Sequence, residues 1–384
     1  MTQMTDEERF VVDAARDFAS KRLAPKALEW DAAKHFPVAE LREAAAMGMA
    51  AIYVRDDVGG SGMTRLDGVR IFEQLARGCP AVAAYLSIHN MCVWMIDEFG
   101  TQEQREQWIP RLASMELMAS YCLTEPGAGS DAAALRTRAV RDGDEYVLNG
   151  TKQFISGAGN EAAFYVVMAR TGEPGPKGIS TFLVPGDAPG LSTGPNEQKM
   201  GWHAQPTRQV VMDGCRVPAA NLLGGQEGIG FTVAMRGLNG GRLNIAACSL
   251  GGAREAYSKA LAHVRDREAF GGPLVDEPTI RFALADMATA LEASTQLLWR
   301  AASALDAKEP DYVELCSMAK LFVTEQCFTV ADRALQLHGG YGYLAEYGLE
   351  KIVRDLRVHR ILEGTNEIMR VVVGRAAATR GLGA

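Results

Sequence analysis

The apolar residues of this chain change their spacing twice, and that double switch limits the fold more than any single motif does. From Thr5 to about Met115 they recur at the helical period, as in Phe10, Val11, Ala14, Ala15 and Phe18, and again in Leu41, Ala44, Ala45 and Met47. The nearly uncharged run from Ala81 to Met95 predicts a helix buried on most sides. Near Met118 the pattern shortens into strand-like runs, YCLTE, YVLNG, FYVVMA, ISTFLVP and RQVVMDG, divided by turn residues. Asp142-Gly143 and Asn149-Gly150 have hairpin chemistry, the second also readable as a bulge inside a longer strand. From about Phe231 the helical period returns, predicting long helices near Leu243 to Val264, Thr279 to Leu305, Val313 to Leu337 and Asn366 to Arg375. Phe270-Gly271-Gly272-Pro273 and His338-Gly339-Gly340-Tyr341-Gly342 interrupt them.

The order is helical, β, helical. It predicts an α+β multidomain chain: a helical domain over 1–117, a β-barrel over 118–228 and a four-helix-bundle-like domain over 229–384. With 384 residues and 47% hydrophobic composition, the chain has enough apolar mass for several cores. A dinucleotide fold of alternating strands and helices is excluded, because no G-x-G-x-x-G follows a strand to open a helix.

A net charge of −7 gives no electrostatic footprint for nucleic acid. The basic cluster Arg354, Arg357, His359 and Arg360 alternates with apolar residues and reads as a solvated or subunit-facing helix surface. The acidic start MTQMTDEERF has no signal-peptide character, and no apolar stretch approaches the roughly twenty residues that span a bilayer, so cytoplasmic residence is expected. Seven cysteines, odd in number and without paired spacing, read as buried thiols in a reducing compartment. The six histidines show no metal-type pairing, and no metal site is expected.

Two segments carry the chemistry. In RILEGTNEIMR, Glu363 stands behind Ile361 and Leu362 and before Gly364-Thr365. A lone acid in such a setting is poorly solvated, and its pKa should rise into the range of a general base. The alternatives are that Arg360 or a backbone amide satisfies it, or that it faces water at the start of the last helix. The second segment, Tyr121-Cys122-Leu123-Thr124-Glu125-Pro126-Gly127-Ala128-Gly129-Ser130-Asp131, is a strand feeding a turn of small polar residues. Such a turn offers backbone amides and hydroxyls to a planar or phosphorylated ligand.

Together with QLHGGYGY, these strings make the chain similar to the acyl-CoA dehydrogenase family from about Glu7 to Arg375. The resemblance implies the same three-domain order, a homotetramer, and FAD bound at subunit boundaries. It implies that Glu363 removes the α-proton of an acyl-CoA while the β-hydrogen leaves as hydride to flavin N5. The Glu363 amide and a flavin hydroxyl would polarise the thioester carbonyl. By matching position, Tyr121, Leu123, Thr124 and Ser130 would line the flavin, with Ser130 also reaching the CoA. Phe154, Ile155 and Ser156 match a second flavin strand, where many relatives carry Trp at the Phe154 position. Arg267 matches an arginine for the FAD pyrophosphate, with Phe270 beside it. Gln336, Leu337, His338, Gly339 and Gly340 match a stretch that reaches the adenine end from a neighbouring subunit. Thr365 and Glu367 are carried over as further cofactor contacts. Pro278 departs from the Gln of relatives, and no flavin contact is carried over there.

For the substrate, Asn239, Arg242, Leu362 and Arg375 match acyl-CoA contacts, and Gly240 and Gly241 leave room beside Arg242. Some branched-chain relatives keep their base on that helix, but no acid stands between Asn239 and Arg242. GWHAQPTR, RGLNGGR and CSMAKLF, with Leu362 in place of a Tyr common in straight-chain members, point to isobutyryl-CoA, a thioester of valine breakdown. A 2-methylbutyryl or short straight-chain acyl-CoA is the alternative, and a flavin oxidase or monooxygenase of the same fold stands behind both. An electron-transfer flavoprotein is the implied partner.

Overall fold

A computed structural model describes residues 4–381; the first and last three residues, which the expected end domains include, lie outside the described residues. Six helices open the chain: α1 (Asp6–Phe18), α2 (Ala27–Ala33), α3 (Val38–Ala46), α4 (Arg65–Gly78), α5 (Pro80–Phe99) and α6 (Gln102–Ala113). Local chemistry sets their ends. Thr5, Thr64 and Thr101 each close a capping box, accepting from the backbone three residues on while Glu8, Asp67 and Gln104 reach back. As its composition predicts, α5 is buried along nearly its whole length.

The middle of the chain forms one curled, seven-stranded sheet: β1 (Met118–Cys122), β2 (Arg138–Asp142), β3 (Glu145–Ser156), β4 (Ala163–Arg170), β5 (Ile179–Pro185), β6 (Leu191–Thr193) and β7 (Thr207–Pro218). Asp142-Gly143 leads the β2–β3 hairpin, in which Asp142 faces Glu145. Asn149-Gly150 is a bulge within β3, where the register against β7 shifts between Leu148 and Gly150. The long helices α7 (Gly230–Asp266), α8 (Pro278–Asp306) and α9 (Tyr312–Leu337) follow, with the ribbon β8 (Glu268–Ala269) and β9 (Gly272–Pro273) between the first two. Two shorter helices, α10 (Leu349–Arg357) and α11 (Asn366–Arg380), end the chain. Pro278 is the first residue of α8, a position where its missing N–H and fixed φ cost nothing.

Three apolar cores hold these parts. One lies among the helices, around Phe72, Tyr85, Leu250 and Val323. One lies inside the curled sheet, around Tyr165, Phe182 and Val210. The third joins the two, where Trp108 and Ile109 of α6 meet Phe164 and Val166 of β4 and Val233 and Leu238 of α7. Helix α7 runs through the middle, and at Gly251 it approaches α4 so closely that a Cβ would stand 2.1 Å from the Glu73 carbonyl. All seven cysteines are buried thiols.

The basic cluster corrects an expectation. Most of it is tied down within the chain rather than solvated: Arg354 pairs with Asp31 at 2.6 Å and with Glu350, Arg360 pairs with Glu325 at 2.6 Å, and His359 is wholly buried, while Arg357 is half-buried. The alternation with apolar residues arises because the cluster bridges elements instead of facing out. The Trp202 amide donates to Asp355 Oδ1 at 2.6 Å, and its indole donates to His359 Nε2 at 3.2 Å. His359 Nδ1 meets Ser249 Oγ of α7 at 2.7 Å. Burial, and then Lys320, depress the His359 pKa to about 3, so the ring is neutral and the indole fixes its tautomer. The GWHAQ loop thereby latches the sheet to the C-terminal helices.

A second brace shapes the turn after β1. Lys152 of β3 is fully buried and donates to Glu125 Oε1 at 2.7 Å and to the Leu123 carbonyl at 3.1 Å. The Glu125 carboxylate also accepts from the Arg136 and Thr137 amides at 2.6 and 2.9 Å. Lys152→Met leaves that carboxylate buried without its counter-ion, and urea titration should show a loss of about 3–5 kcal/mol. A loss under about 1 kcal/mol would mean the pair is merely tolerated.

Candidate active site

Glu363 sits in the short connection between α10 and α11, with φ at 55° followed by Gly364 at 88°. For a residue with a side chain this left-handed backbone costs on the order of 1–2 kcal/mol. It turns the carboxylate inward against α7. A Cβ on Gly241 would stand 2.5 Å from Glu363 Oε2 and 2.8 Å from Met91 Sδ, so only glycine leaves the acid its place. The residue as a whole is half-buried, yet both carboxylate oxygens are buried and make no hydrogen bond among the described residues. Burial lifts the pKa from 4.5 to about 7, against the pull of Lys320 and then Arg242. Arg360 does not satisfy the acid, being spent on Glu325.

The backbone around Glu363 is tied from two helices. Arg242 of α7 is buried; its Nε reaches the Glu363 carbonyl at 3.4 Å and its Nη1 donates to Asn239 Oδ1 at 2.8 Å. Lys320 of α9, fully buried, donates to the Gly364 carbonyl and to Asn366 Oδ1, both at 2.8 Å. Thr365 caps α11 by accepting from the Ile368 amide at 3.3 Å. Leu362 is half-buried beside the acid, whereas Arg375 and Glu367 are exposed on α11.

On the sheet, the two expected flavin segments lie side by side, the Gln153 amide donating to the Thr124 carbonyl at 2.8 Å. Tyr121, Thr124 and Ser156 are half-buried there, Ser130 is exposed, and Phe154 is 64% exposed at a positive φ of 60°. An exposed aromatic next to half-buried hydroxyls fits the face of a planar heteroaromatic ring such as that of FAD. Leu123 and Ile155 turn their side chains into apolar cores, so only their backbone is available to such a group. The Tyr121 hydroxyl reaches across to the Ala234 carbonyl of α7 at 3.3 Å.

The remaining expected contacts form a separate group. Arg267 closes α7, roughly 37 Å along the helix from Arg242 at the usual rise per residue. Phe270, 91% exposed, is on the adjoining ribbon, and Gln336, Gly339 and Gly340 are exposed at the end of α9. Leu337 is half-buried, and His338 is buried and stacked on His263 at 4.4 Å. Within one chain these residues and Glu363 are not brought together.

Sequence reasoning missed Lys320 and Asn366, which frame Glu363, and Arg65, whose guanidinium stacks on Tyr53 at 3.6 Å and meets Gly240. A lysine inside the small, apolar CSMAKLF run was the available signal, since such a charge is buried only when it has partners.

Family models match the whole architecture: acyl-CoA dehydrogenase N-terminal domain over residues 5–116, middle domain over 120–215 and C-terminal domain over 228–378. The chain is 52% identical to mitochondrial isobutyryl-CoA dehydrogenase of Bos taurus over 373 residues, 97% of this chain and 89% of the relative. Among solved structures, butyryl-CoA dehydrogenase from Megasphaera elsdenii superposes with a TM-score of 0.95 at 35% identity, covering 98% of this chain and 100% of the other. A chain in a structure of the electron transferring flavoprotein of Acidaminococcus fermentans gives 0.95 at 37% identity, covering 99% and 100%. This protein belongs to the acyl-CoA dehydrogenase family.

Proposed function

We propose that the chain oxidises isobutyryl-CoA to methacrylyl-CoA, with Glu363 removing the α-proton. The observation that carries the reading is the buried, unpaired Glu363 carboxylate, whose pKa of about 7 suits a base at neutral pH. Bound FAD supplies the acceptor for the β-hydride. The chain's own residues do the rest. Arg242 and Lys320 hold the carbonyls of Glu363 and Gly364, and the Glu363 amide polarises the thioester carbonyl. Tyr121, Thr124, Ser130, Phe154 and Ser156 hold the flavin ring, Leu123 and Ile155 contributing backbone. Ser130, Asn239, Arg242, Leu362 and Arg375 contact the acyl-CoA. Identity of 52% to a relative named for isobutyryl-CoA supports the branched acyl group, and Leu362 leaves room for an α-methyl. A short straight-chain substrate is the second reading, favoured by the likeness to butyryl-CoA dehydrogenase.

We also propose a homotetramer. The separation of Arg267, Phe270 and the 336–340 turn from Glu363 supports a FAD site completed by a neighbouring subunit, as does the exposure of Phe270 and Tyr343. An electron-transfer flavoprotein then re-oxidises the flavin. The buried, unpaired thiols support a reducing compartment, the cytoplasm in our reading.

Three outcomes test the base. Glu363→Gln should retain FAD yet fail to bleach it with isobutyryl-CoA under anaerobic conditions, where the parent bleaches; normal bleaching would discard the mechanism. Gly241→Ala should push the carboxylate aside and slow reduction on the order of 10²-fold in stopped flow, with FAD content unchanged. The third outcome concerns stability. Because the folded pKa of Glu363 lies above the unfolded one, its stabilising protonation is complete below about pH 4.5 and lost as pH rises through about 7. Ionisation in the fold then costs on the order of 3 kcal/mol. Glu363→Gln should therefore melt higher than the parent above pH 7, the gap closing near pH 4 in thermal scans.

A further inference from the structure

Lys320 is the buried cation whose charge, beyond its hold on the backbone, the catalytic reading leaves without a task. It lies on α9, its side chain sealed from water, in a helix otherwise packed with Ala319, Val323 and Cys327. Bringing an ammonium there is costly, and burial lowers its pKa to about 8. Its hydrogen bonds are aimed with a purpose. One goes to the Gly364 carbonyl, next in the chain to Glu363, and one to Asn366 at the start of α11. Asn366 in turn donates to Thr324 Oγ1 at 3.0 Å and to Glu325 Oε1 at 2.9 Å, while Glu325 Oε2 holds Arg360 at 2.6 Å. One face of α9 thus grips the connection on both sides of the base.

The groups that face Glu363 electrostatically are Arg242 and Cys248 from α7, Lys320 from α9, Cys92 from α5, Tyr121 from β1 and Tyr53 from the loop before α4. Only Arg242 and Lys320 are charged near neutral pH. Neither forms an ion pair with the carboxylate, whose oxygens stay unpartnered among the described residues. A neutral donor at position 320 could still bond the Gly364 carbonyl, more weakly for want of a charge. The positive charge is what such a donor would lack.

We propose that Lys320 is a positioning residue for the base: its ammonium ties down the backbone behind Glu363 and holds a positive charge beside the carboxylate without pairing with it. The inference rests on Glu363 being the base. As pH rises, Glu363 becomes competent when it loses its proton; a nearby cation favours that loss, so removing it moves the acid limb of the rate to higher pH.

The test uses FAD-loaded enzyme as wild type, Lys320→Gln and Lys320→Arg, each also combined with Glu363→Gln. The pH profile of kcat/KM for isobutyryl-CoA is one readout. The other needs no substrate: the pH at which the Tm gap between each protein and its Glu363→Gln partner stops widening, which the folded pKa of Glu363 sets. Lys320→Gln should shift both the acid limb and this levelling-off upward, and slow the reaction about 10- to 100-fold at pH 7 with kcat falling more than KM rises. Lys320→Arg keeps the charge and should keep both positions. If Lys320→Gln slows the enzyme equally at every pH with limb and levelling-off unmoved, Lys320 is merely structural and the proposal fails. Should Lys320→Gln not fold, Lys320→Met takes its place: an upward shift of limb and levelling-off supports the proposal, and unmoved positions overturn it. Full activity of Glu363→Gln would instead refute the base assignment, and the levelling-off of the Tm gap would still report whether Lys320 tunes the carboxyl.

Discussion

A carboxylate kept dry and unpaired is the constraint around which the rest of this structure is arranged. Folding normally gives a buried acid a partner or leaves it in water, because an uncompensated charge is expensive. Here the cost is on the order of 3 kcal/mol at high pH, and the left-handed backbone of Glu363 adds on the order of 1–2 kcal/mol. Against a net stability of about 5–15 kcal/mol, typical of folded domains, such a site persists only if its surroundings over-determine it. The surroundings are correspondingly specific. Gly241 makes the space, Arg242 and Lys320 fix the carbonyls of Glu363 and Gly364, and Thr365 caps the helix that follows.

The domains depend on the same segment. His359, four residues before the base, is the joint between the sheet's Trp202 and the Ser249 of α7, and Arg360 beside it is held by α9. A displacement of the sheet relative to the helices would therefore pull on the chain that carries Glu363. The strands we propose to hold the flavin belong to that sheet, so the latch sets their distance from Glu363. The neutral ring of His359 suits this task, since its two nitrogens serve one donor and one acceptor in a space where a charge would have no carboxylate to meet.

Much of this was legible in the sequence, and the unread parts share a cause. The switches of period marked the sheet and helices, and Asn149-Gly150 marked its bulge, because period and turn chemistry are local. The resemblance supplied Glu363, and the lone-acid argument gave its pKa direction. The basic cluster was misread because an Arg-rich helix looks alike whether its partners are water or Asp31 and Glu325, which are remote in sequence. Lys320 escaped notice for the same reason, its partners being a carbonyl and an amide across the bundle. Arg267 and the 336–340 turn were readable as motifs, but their distance from Glu363 is a property of the length of α7.

The placing of the two cations follows from magnitudes. A full ion pair at about 4 Å contributes on the order of 4 kcal/mol at the effective dielectric of a protein site. That exceeds the burial penalty on Glu363 and would return it to an ordinary acid, ionised but too weak a base and too tightly held to accept a carbon-bound proton. With no cation nearby the opposite failure follows, and burial would leave the carboxyl protonated at neutral pH. Arg242 and Lys320 satisfy both limits by spending their hydrogen bonds on Asn239, Asn366 and the carbonyls of Glu363 and Gly364. Their fields reach the carboxylate while their protons do not, and a pKa of about 7 is the compromise between the two.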